Sequence, residues 1–202
     1  MPIQTATETE AVYLFNADTG KTLLTQNADQ PRYVASLTKM MTALLLLESG
    51  KDLNGEVTVP TDLTQEFKDI QNANGTTMGL RIGETVRRID LLNALLITSA
   101  NDAASVIAWD VGGSLNAFIQ QMNARAAELG CTSATFTCAH GLYDYGNVAS
   151  AEDMAKIAAA CAANETFAQV AGSTTYTLGR DEFPQRAAHH QQLQPADGRL
   201  RC

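Results

Sequence analysis

Two short stretches carry residue types that could do covalent chemistry. In Ser36-Leu37-Thr38-Lys39, a serine and a lysine stand three apart at the head of a nearly unbroken apolar run, "MMTALLLL". On a helix, residues three apart share a face, which puts the lysine amine one turn from the serine hydroxyl. Burial disfavours an ammonium and lowers the lysine pKa. A neutral amine beside a hydroxyl can take its proton and leave an alkoxide-like nucleophile. The helix N-terminus favours the negative charge that develops during attack on a carbonyl. The plainer alternative has Ser36 capping the helix and Lys39 reaching solvent from the first turn. The second stretch is Ser99-Ala100-Asn101, set in a break between two apolar segments. Its hydroxyl can relay a proton, and its amide can both donate and accept a hydrogen bond. The alternative is again capping of the helix that follows.

The elements that must hold these residues are readable in outline. "AVYLFNADTGKTLLTQ", residues 11–26, reads as a β-hairpin whose turn is Asn16-Ala17-Asp18-Thr19-Gly20. A helix runs from Ser36 to about Ser49, apolar nearly all round and therefore central, with Gly50 as its stop. Residues 53–90 mix short strand-like pieces with Asn/Gly turns. Asp90 is placed to cap a helix through "LLNALLIT", which breaks at "SAND". A second helix is expected from about Ala103 to Val111, ended by Gly112-Gly113. Ser114 then caps a long amphipathic helix that stops at Gly130. Residues 133–137 read as a short strand, "HGLYDYGN" as a polar loop, and Ser150 as the cap of a further helix.

Composition excludes several classes. The 202 residues suffice for one domain, or one domain with a small lobe. A formal net charge of −8 argues against an electrostatic grip on nucleic acid or an anionic membrane. No apolar run approaches the roughly 20 residues a membrane-spanning helix needs. "MPIQTATETEAVYLF" shows neither the basic nor the apolar region of a signal peptide. Cys131, Cys138, Cys161 and Cys202 are too few for a disulfide scaffold. Cys131, Cys138 and His140 have a loose metal-like spacing, but no C-x-x-C pair exists, so free thiols are expected and no metal.

S-x-x-K followed by S-x-N forms two of the three motifs of penicillin-binding proteins and serine β-lactamases. The surrounding text, "ASLTKMMTALLLLE", "DLLNALLITSANDAASVIA", "FIQQMNARAAELG", "TSATFTCAHGLYD" and "ASAEDMAKIAAA", resembles the D-alanyl-D-alanine carboxypeptidases, from about Ala11 to Leu178. That resemblance implies an α/β fold of the α+β type, an antiparallel sheet with a helical cluster. It implies Ser36 as nucleophile, Lys39 as general base, Ser99 as proton shuttle and Asn101 as a holder of Lys39 and of the substrate amide. The implied partners are peptidoglycan stem peptides ending in D-Ala-D-Ala, with β-lactams as inhibitors. No cofactor is implied, and the location is extracytoplasmic, with membrane contact left open and no anchor in this chain. His140, in the "HGL" stretch, is taken as structural. A class A β-lactamase, which usually carries S-D-N, is the near rival. A non-catalytic penicillin-binding remnant is the rival from another class.

The family's third motif, K-T-G, is absent from these 202 residues: none of Lys21, Lys39, Lys51, Lys68 and Lys156 opens K-T-G or K-S-G. The composition also changes after Leu178. Residues 179–202 carry four of the nine arginines and a net charge of +1, against −9 for residues 1–178. They show neither strand alternation nor a helical stripe. The expected organisation is thus a DD-peptidase domain over residues 1–178, incomplete at its C-terminal end. The 179–202 tail is expected to be out of frame, otherwise replaced or disordered, with a naturally short variant completed by a partner as the rival view.

Overall fold

A computed structural model describes residues 9–142 and 144–178, and the backbone of residues 192–193. The expected hairpin is present. Strands β1 (Val12–Phe15) and β2 (Thr22–Gln26) pair antiparallel, with Tyr13 opposite Thr25 and Leu14 opposite Leu24. Its turn closes on Asn16, whose side-chain oxygen accepts from the Thr19 N–H at 2.8 Å, while Gly20 takes a positive φ of 67°.

Helix α1 (Thr38–Glu48) is the centre of the molecule. Met41, Ala43, Leu44 and Leu46 are at most 2% exposed, as a helix apolar on nearly every side requires. Around it pack α3 (Arg88–Ile97), α4 (Asn101–Gly112), α5 (Leu115–Glu128), α6 (Ala151–Ala162) and α7 (Glu165–Ala171). Leu91, Leu92, Leu95, Ile107, Phe118 and Met122 complete a continuous core with α1. Each such side chain contributes about 1.5–3 kcal/mol by leaving water. Ser114 and Ser150 cap α5 and α6 as expected, accepting from the Ala117 and Asp153 N–H groups. Gly113 ends α4 with φ +73°, and Gly112 lets α5 cross closely: a Cβ there would lie 2.7 Å from Phe118 Cβ.

Several expectations need correction. Helix α4 begins at Asn101 rather than near Ala103. Asp90 does not cap α3. It lies inside the first turn, where its carboxylate accepts from Arg87 at 2.8 and 2.9 Å and from the Tyr176 hydroxyl at 2.8 Å. Residues 133–137 form no strand; only Thr135 bridges, to Val148. Two helices were not anticipated: α2 (Thr64–Asn72), inside the stretch read as mixed, and α7, capped by Asn164.

The antiparallel character is present as four two-stranded pairs among the described residues. Besides the hairpin, these are β3 (Arg32–Tyr33) with β6 (Val148–Ala149), β4 (Glu56–Thr58) with β5 (Thr85–Arg87), and β7 (Tyr176–Thr177) with β8 (Gln192–Leu193). The last pair places a two-residue strand in a segment read as lacking strand alternation. The other residues after Leu178, and Cys202 with them, lie outside the described residues.

Candidate active site

Four segments meet at the N-terminal end of α1. The first is the turn leading into it. Ala35–Leu37 form one turn of 3-10 helix, and Ala35 takes φ +45°, a conformation uncommon for a residue with a Cβ. Ser36 therefore stands just ahead of α1 and is exposed, while Lys39 is only 3% exposed. The capping alternatives fail on geometry. Neither the 3-10 turn nor α1 has a side-chain cap, and Lys39 does not reach solvent.

The second segment is the break between α3 and α4. Ser99 takes φ +59°, a second non-glycine residue in the left-handed region. That turn directs its hydroxyl to Ser36, with Ser99 Oγ donating to Ser36 Oγ at 3.0 Å. Asn101 opens α4 without capping it. Its Oδ1 accepts from Lys39 Nζ at 2.8 Å, and its Nδ2 donates to the Thr76 carbonyl at 3.0 Å. The amide is thus held in one orientation by opposite partners on its two ends.

The third segment is the 138–142 turn. The His140 carbonyl accepts from Lys39 Nζ at 2.5 Å. This turn packs directly on the Ser36 turn: a Cβ at Gly141 (φ +80°) would overlap the Ala35 carbonyl and approach Thr38 Oγ1. Thr42 Oγ1 donates to the Ala139 carbonyl at 2.6 Å, tying α1 to the turn, and Asn147 Nδ2 donates to Thr38 Oγ1 at 2.8 Å, tying it to the segment that follows. The His140 ring is clamped from α2. Its Nε2 lies 3.0 Å from Glu66 Oε1, which also accepts from Ser105 Oγ at 3.0 Å, and its Nδ1 accepts from the Leu142 N–H at 3.0 Å. Burial opposes a charge on His140, while Cys138 and Glu66 draw its pKa up to about 9. The Leu142 N–H donates to a lone pair on Nδ1 that only the neutral ring has, so this bond works against that upward shift and selects the tautomer whose Nε2–H donates to Glu66.

The fourth segment is the 76–80 loop. Asp102, 2% exposed, accepts from the Met78, Gly79 and Leu80 N–H groups at 2.9–3.0 Å. This holds the loop whose Thr76 carbonyl orients Asn101.

Lys39 Nζ is the hub. It lies 3.3 Å from Ser36 Oγ, with Asn101 Oδ1 and the His140 carbonyl as its other partners. Burial lowers its pKa from 10.5 to about 8, with Cys138 pulling weakly the other way. At pH 7 about a tenth of such a lysine is the free amine, a usable population for a proton acceptor. The arrangement can deprotonate Ser36, hold the proton, and pass it on through the Ser99 hydroxyl.

All four residues singled out in the sequence are thus brought together. Glu66, Asp102, Thr76 and the His140 carbonyl were missed as supporting groups. For Asp102 a signal existed, since it is an acid in the first turn of a helix directly after Asn101. Cys131 and Cys138 do not converge on a ligand: the first donates to the Asp153 carbonyl, the second lies in the 138–142 turn. Among the described residues, no group of three or more His, Cys, Asp or Glu is placed to hold a metal.

The site is thus an exposed serine on a buried lysine, in front of a helical cluster flanked by antiparallel pairs. The crystal structure of the Streptomyces K15 DD-transpeptidase superposes with a TM-score of 0.75 at 31% identity, over 82% of this chain and 64% of that one. The D-alanyl-D-alanine carboxypeptidase from Mycobacterium tuberculosis H37Rv gives 0.78 at 26% identity, over 96% of this chain and 72% of that one. The D-alanyl-D-alanine carboxypeptidase family matches residues 2–190, and the chain belongs to that family. D-alanyl-D-alanine carboxypeptidase DacF of Bacillus subtilis (strain 168) is 33% identical over 153 residues, 76% of this chain and 39% of the relative. DacC of Escherichia coli (strain K12) is 35% identical over 154 residues, 73% of this chain and 38% of the relative. The chain therefore spans about two-fifths of the length of these two curated relatives.

Proposed function

We propose that the chain carries the acylating centre of a serine-type D-Ala-D-Ala carboxypeptidase, with residues 1–178 as the body of the peptidase domain. One observation carries this reading: a buried lysine of lowered pKa bridges Ser36, Asn101 and the His140 carbonyl. Ser36 Oγ attacks the carbonyl of the penultimate D-Ala in a peptidoglycan stem peptide, and Lys39 takes its proton. The leaving D-Ala amine is protonated from Lys39 through the Ser99 hydroxyl. Asn101 fixes the amine and offers its Nδ2 edge toward the substrate amide. Water then hydrolyses the ester. These steps are acid–base and acyl-transfer chemistry that the four side chains perform without a cofactor. Such a substrate places the reaction outside the cytoplasmic membrane, and β-lactams, which mimic the D-Ala-D-Ala end, are expected to acylate the same serine.

One sequence fact favours a second reading, a penicillin-binding chain that does not turn over: the absence of K-T-G from these 202 residues. In the family that motif supplies an oxyanion donor and a cation for the substrate carboxylate, and loss of one oxyanion donor costs about 10²–10³ in rate. Fluorescent penicillin followed by peptide mass mapping tests the shared core of both readings, and D-alanine release separates them. The adduct is expected on Ser36 and absent from Ser36→Ala. An adduct on Ser99, or one that survives in Ser36→Ala, overturns the assignment.

A further inference from the structure

A neutral lysine amine has two N–H bonds and one lone pair, and the groups around Nζ decide where the lone pair points. Two of its partners, Asn101 Oδ1 at 2.8 Å and the His140 carbonyl at 2.5 Å, can only accept. They take the two N–H bonds. The third, Ser36 Oγ at 3.3 Å, already accepts from Ser99 Oγ and has its own hydrogen left to give. The lone pair is therefore aimed at the proton it must take. The His140 carbonyl cannot change its role. The Asn101 amide can: half a turn about its last side-chain bond would bring Nδ2 against Nζ, and an Nδ2–H would occupy the lone pair in place of Ser36.

The Thr76 carbonyl prevents that turn. It accepts from the Asn101 N–H at 2.8 Å and from Nδ2 at 3.0 Å, so an oxygen turned toward it would meet a second acceptor. Between α2 and β5, however, no helix or strand holds the chain that carries Thr76. Its anchor is Asp102. Oδ1 accepts from the Met78 N–H, and Oδ2 from the Gly79 and Leu80 N–H groups. Gly79, with φ +83°, lets three consecutive N–H groups converge on one carboxylate. Gly75 lets the loop close on the amide, since a Cβ there would lie 2.9 Å from Asn101 Nδ2. Asp102 follows Asn101 directly on α4, so the carboxylate that fixes the loop and the amide that the loop fixes share one rigid element.

We propose that Asp102 is a positioning residue for this centre: through the 76–80 loop and the Thr76 carbonyl it keeps Asn101 Oδ1 turned to Lys39, so that the lone pair of the neutral amine faces only the Ser36 hydroxyl. A locked Oδ1 favours the ammonium. An amide free to turn can serve the neutral amine as well, by donating to it, so release of the loop lowers the titration midpoint of Lys39 while making the amine a poorer base toward Ser36. The other titratable groups around Lys39 are Cys138 and His140 on the 138–142 turn, with Glu66 of α2 behind the imidazole. Among the described residues no carboxylate hydrogen-bonds to Nζ.

The effect on rate rests on the function proposed above; the effect on the amine does not. The test follows the Lys39 titration by NMR at its Cε, assigned by comparison with Lys39→Met, in the full chain. Asp102→Asn keeps the size of the side chain but turns an NH2 toward N–H groups that need an acceptor. It should lower the Lys39 midpoint, near 8 in the parent, by about one pH unit. Above both midpoints, penicillin acylation per folded molecule should slow about tenfold. On an Asn101→Ala background the same substitution should leave the Lys39 midpoint where Asn101→Ala alone puts it, whereas a lost charge or a general loosening would still move it. Should Asp102→Asn not fold, Gly75→Ala crowds the same amide with every charge kept and should also lower the midpoint. If the parent takes no penicillin while the midpoints behave as stated, the Ser36 assignment fails and this one stands. A midpoint that rises, as water entry would cause, one that stays in either variant, or an equal shift without Asn101 overturns it.

Discussion

Lys39 and Asp153 are both buried ionisable side chains, at 3% and 1% exposure, and their surroundings treat them oppositely. Asp153 on α6 accepts from the Thr132 N–H at 3.0 Å, the Ser133 N–H at 2.9 Å and Ser133 Oγ at 2.7 Å. Burial would raise its pKa, but these fixed donors win and hold the carboxyl below its ordinary range. Lys39 has only a hydroxyl, an amide oxygen and a carbonyl as partners, with no carboxylate beside it. There burial wins, and the ammonium is held near its titration point. A buried charge whose partners outweigh desolvation stabilises structure, whereas one whose partners fall short is ready to exchange a proton.

The largest expected effect breaks the Lys39 side of that contrast. Lys39→Arg keeps a cation but cannot become neutral. Acylation by fluorescent penicillin should drop by about 10⁴-fold while the circular-dichroism spectrum is retained; a loss under tenfold would make Lys39 merely electrostatic. Asp153→Ala addresses the other side. It leaves the Thr132 and Ser133 N–H groups without their acceptor and should cost about 2–4 kcal/mol in urea unfolding. Acylation per folded molecule should be unchanged, and a matching loss of acylation would join the two regions.

The pH response sharpens the comparison further. The acylation rate should rise about tenfold per pH unit below a midpoint near 8, where the free amine of Lys39 becomes the major form. Stability carries the same signature. The folded pKa of about 8 lies below the ordinary 10.5, so the unfolded chain binds more protons between those values. Unfolding free energy should therefore climb with pH from about 8 to about 10.5, a rise on the order of 3 kcal/mol that Lys39→Met removes. A wild-type profile parallel to that of Lys39→Met refutes the lowered pKa.

The smallest effect concerns Glu66, which touches no reacting atom and positions the His140 carbonyl through the imidazole. Glu66→Ala should slow acylation about tenfold and move the pH midpoint, and Glu66→Gln, which keeps an acceptor for Nε2, should restore most of both. Equal rates and midpoints in all three proteins would show that the clamp is dispensable.

What the sequence revealed was local chemistry. The hairpin was legible from its Asn/Gly turn, α1 from its apolar run, and α5 and α6 from Ser114 and Ser150. Helix α2 was hidden because "TQEFKDIQN" buries only Ile70 fully. Helix α7 was hidden by its seven-residue length. The four chemical residues were legible through two short motifs, but their supports were not. Glu66 meets His140 across 74 residues, and Asp102 meets the 78–80 backbone across more than 20. Such pairs leave no local trace. Even Ser36 was placed only approximately: the positive φ at Ala35 sets it in a separate turn ahead of α1.

The partners of Lys39 also set an order of assembly. Its bonds to Asn101 and to the His140 carbonyl span 62 and 101 positions in the chain. As the chain leaves the ribosome, helix α1 emerges first, with its lysine fully hydrated and therefore charged. Only when the 138–142 turn emerges and closes a loop of about a hundred residues, late and at an entropic cost that grows with loop length, is that amine dried out. The basicity of Lys39 is then a timer for folding. A nascent or partly folded chain has the serine and the lysine side by side, yet it is chemically quiet until the last piece of the cage arrives.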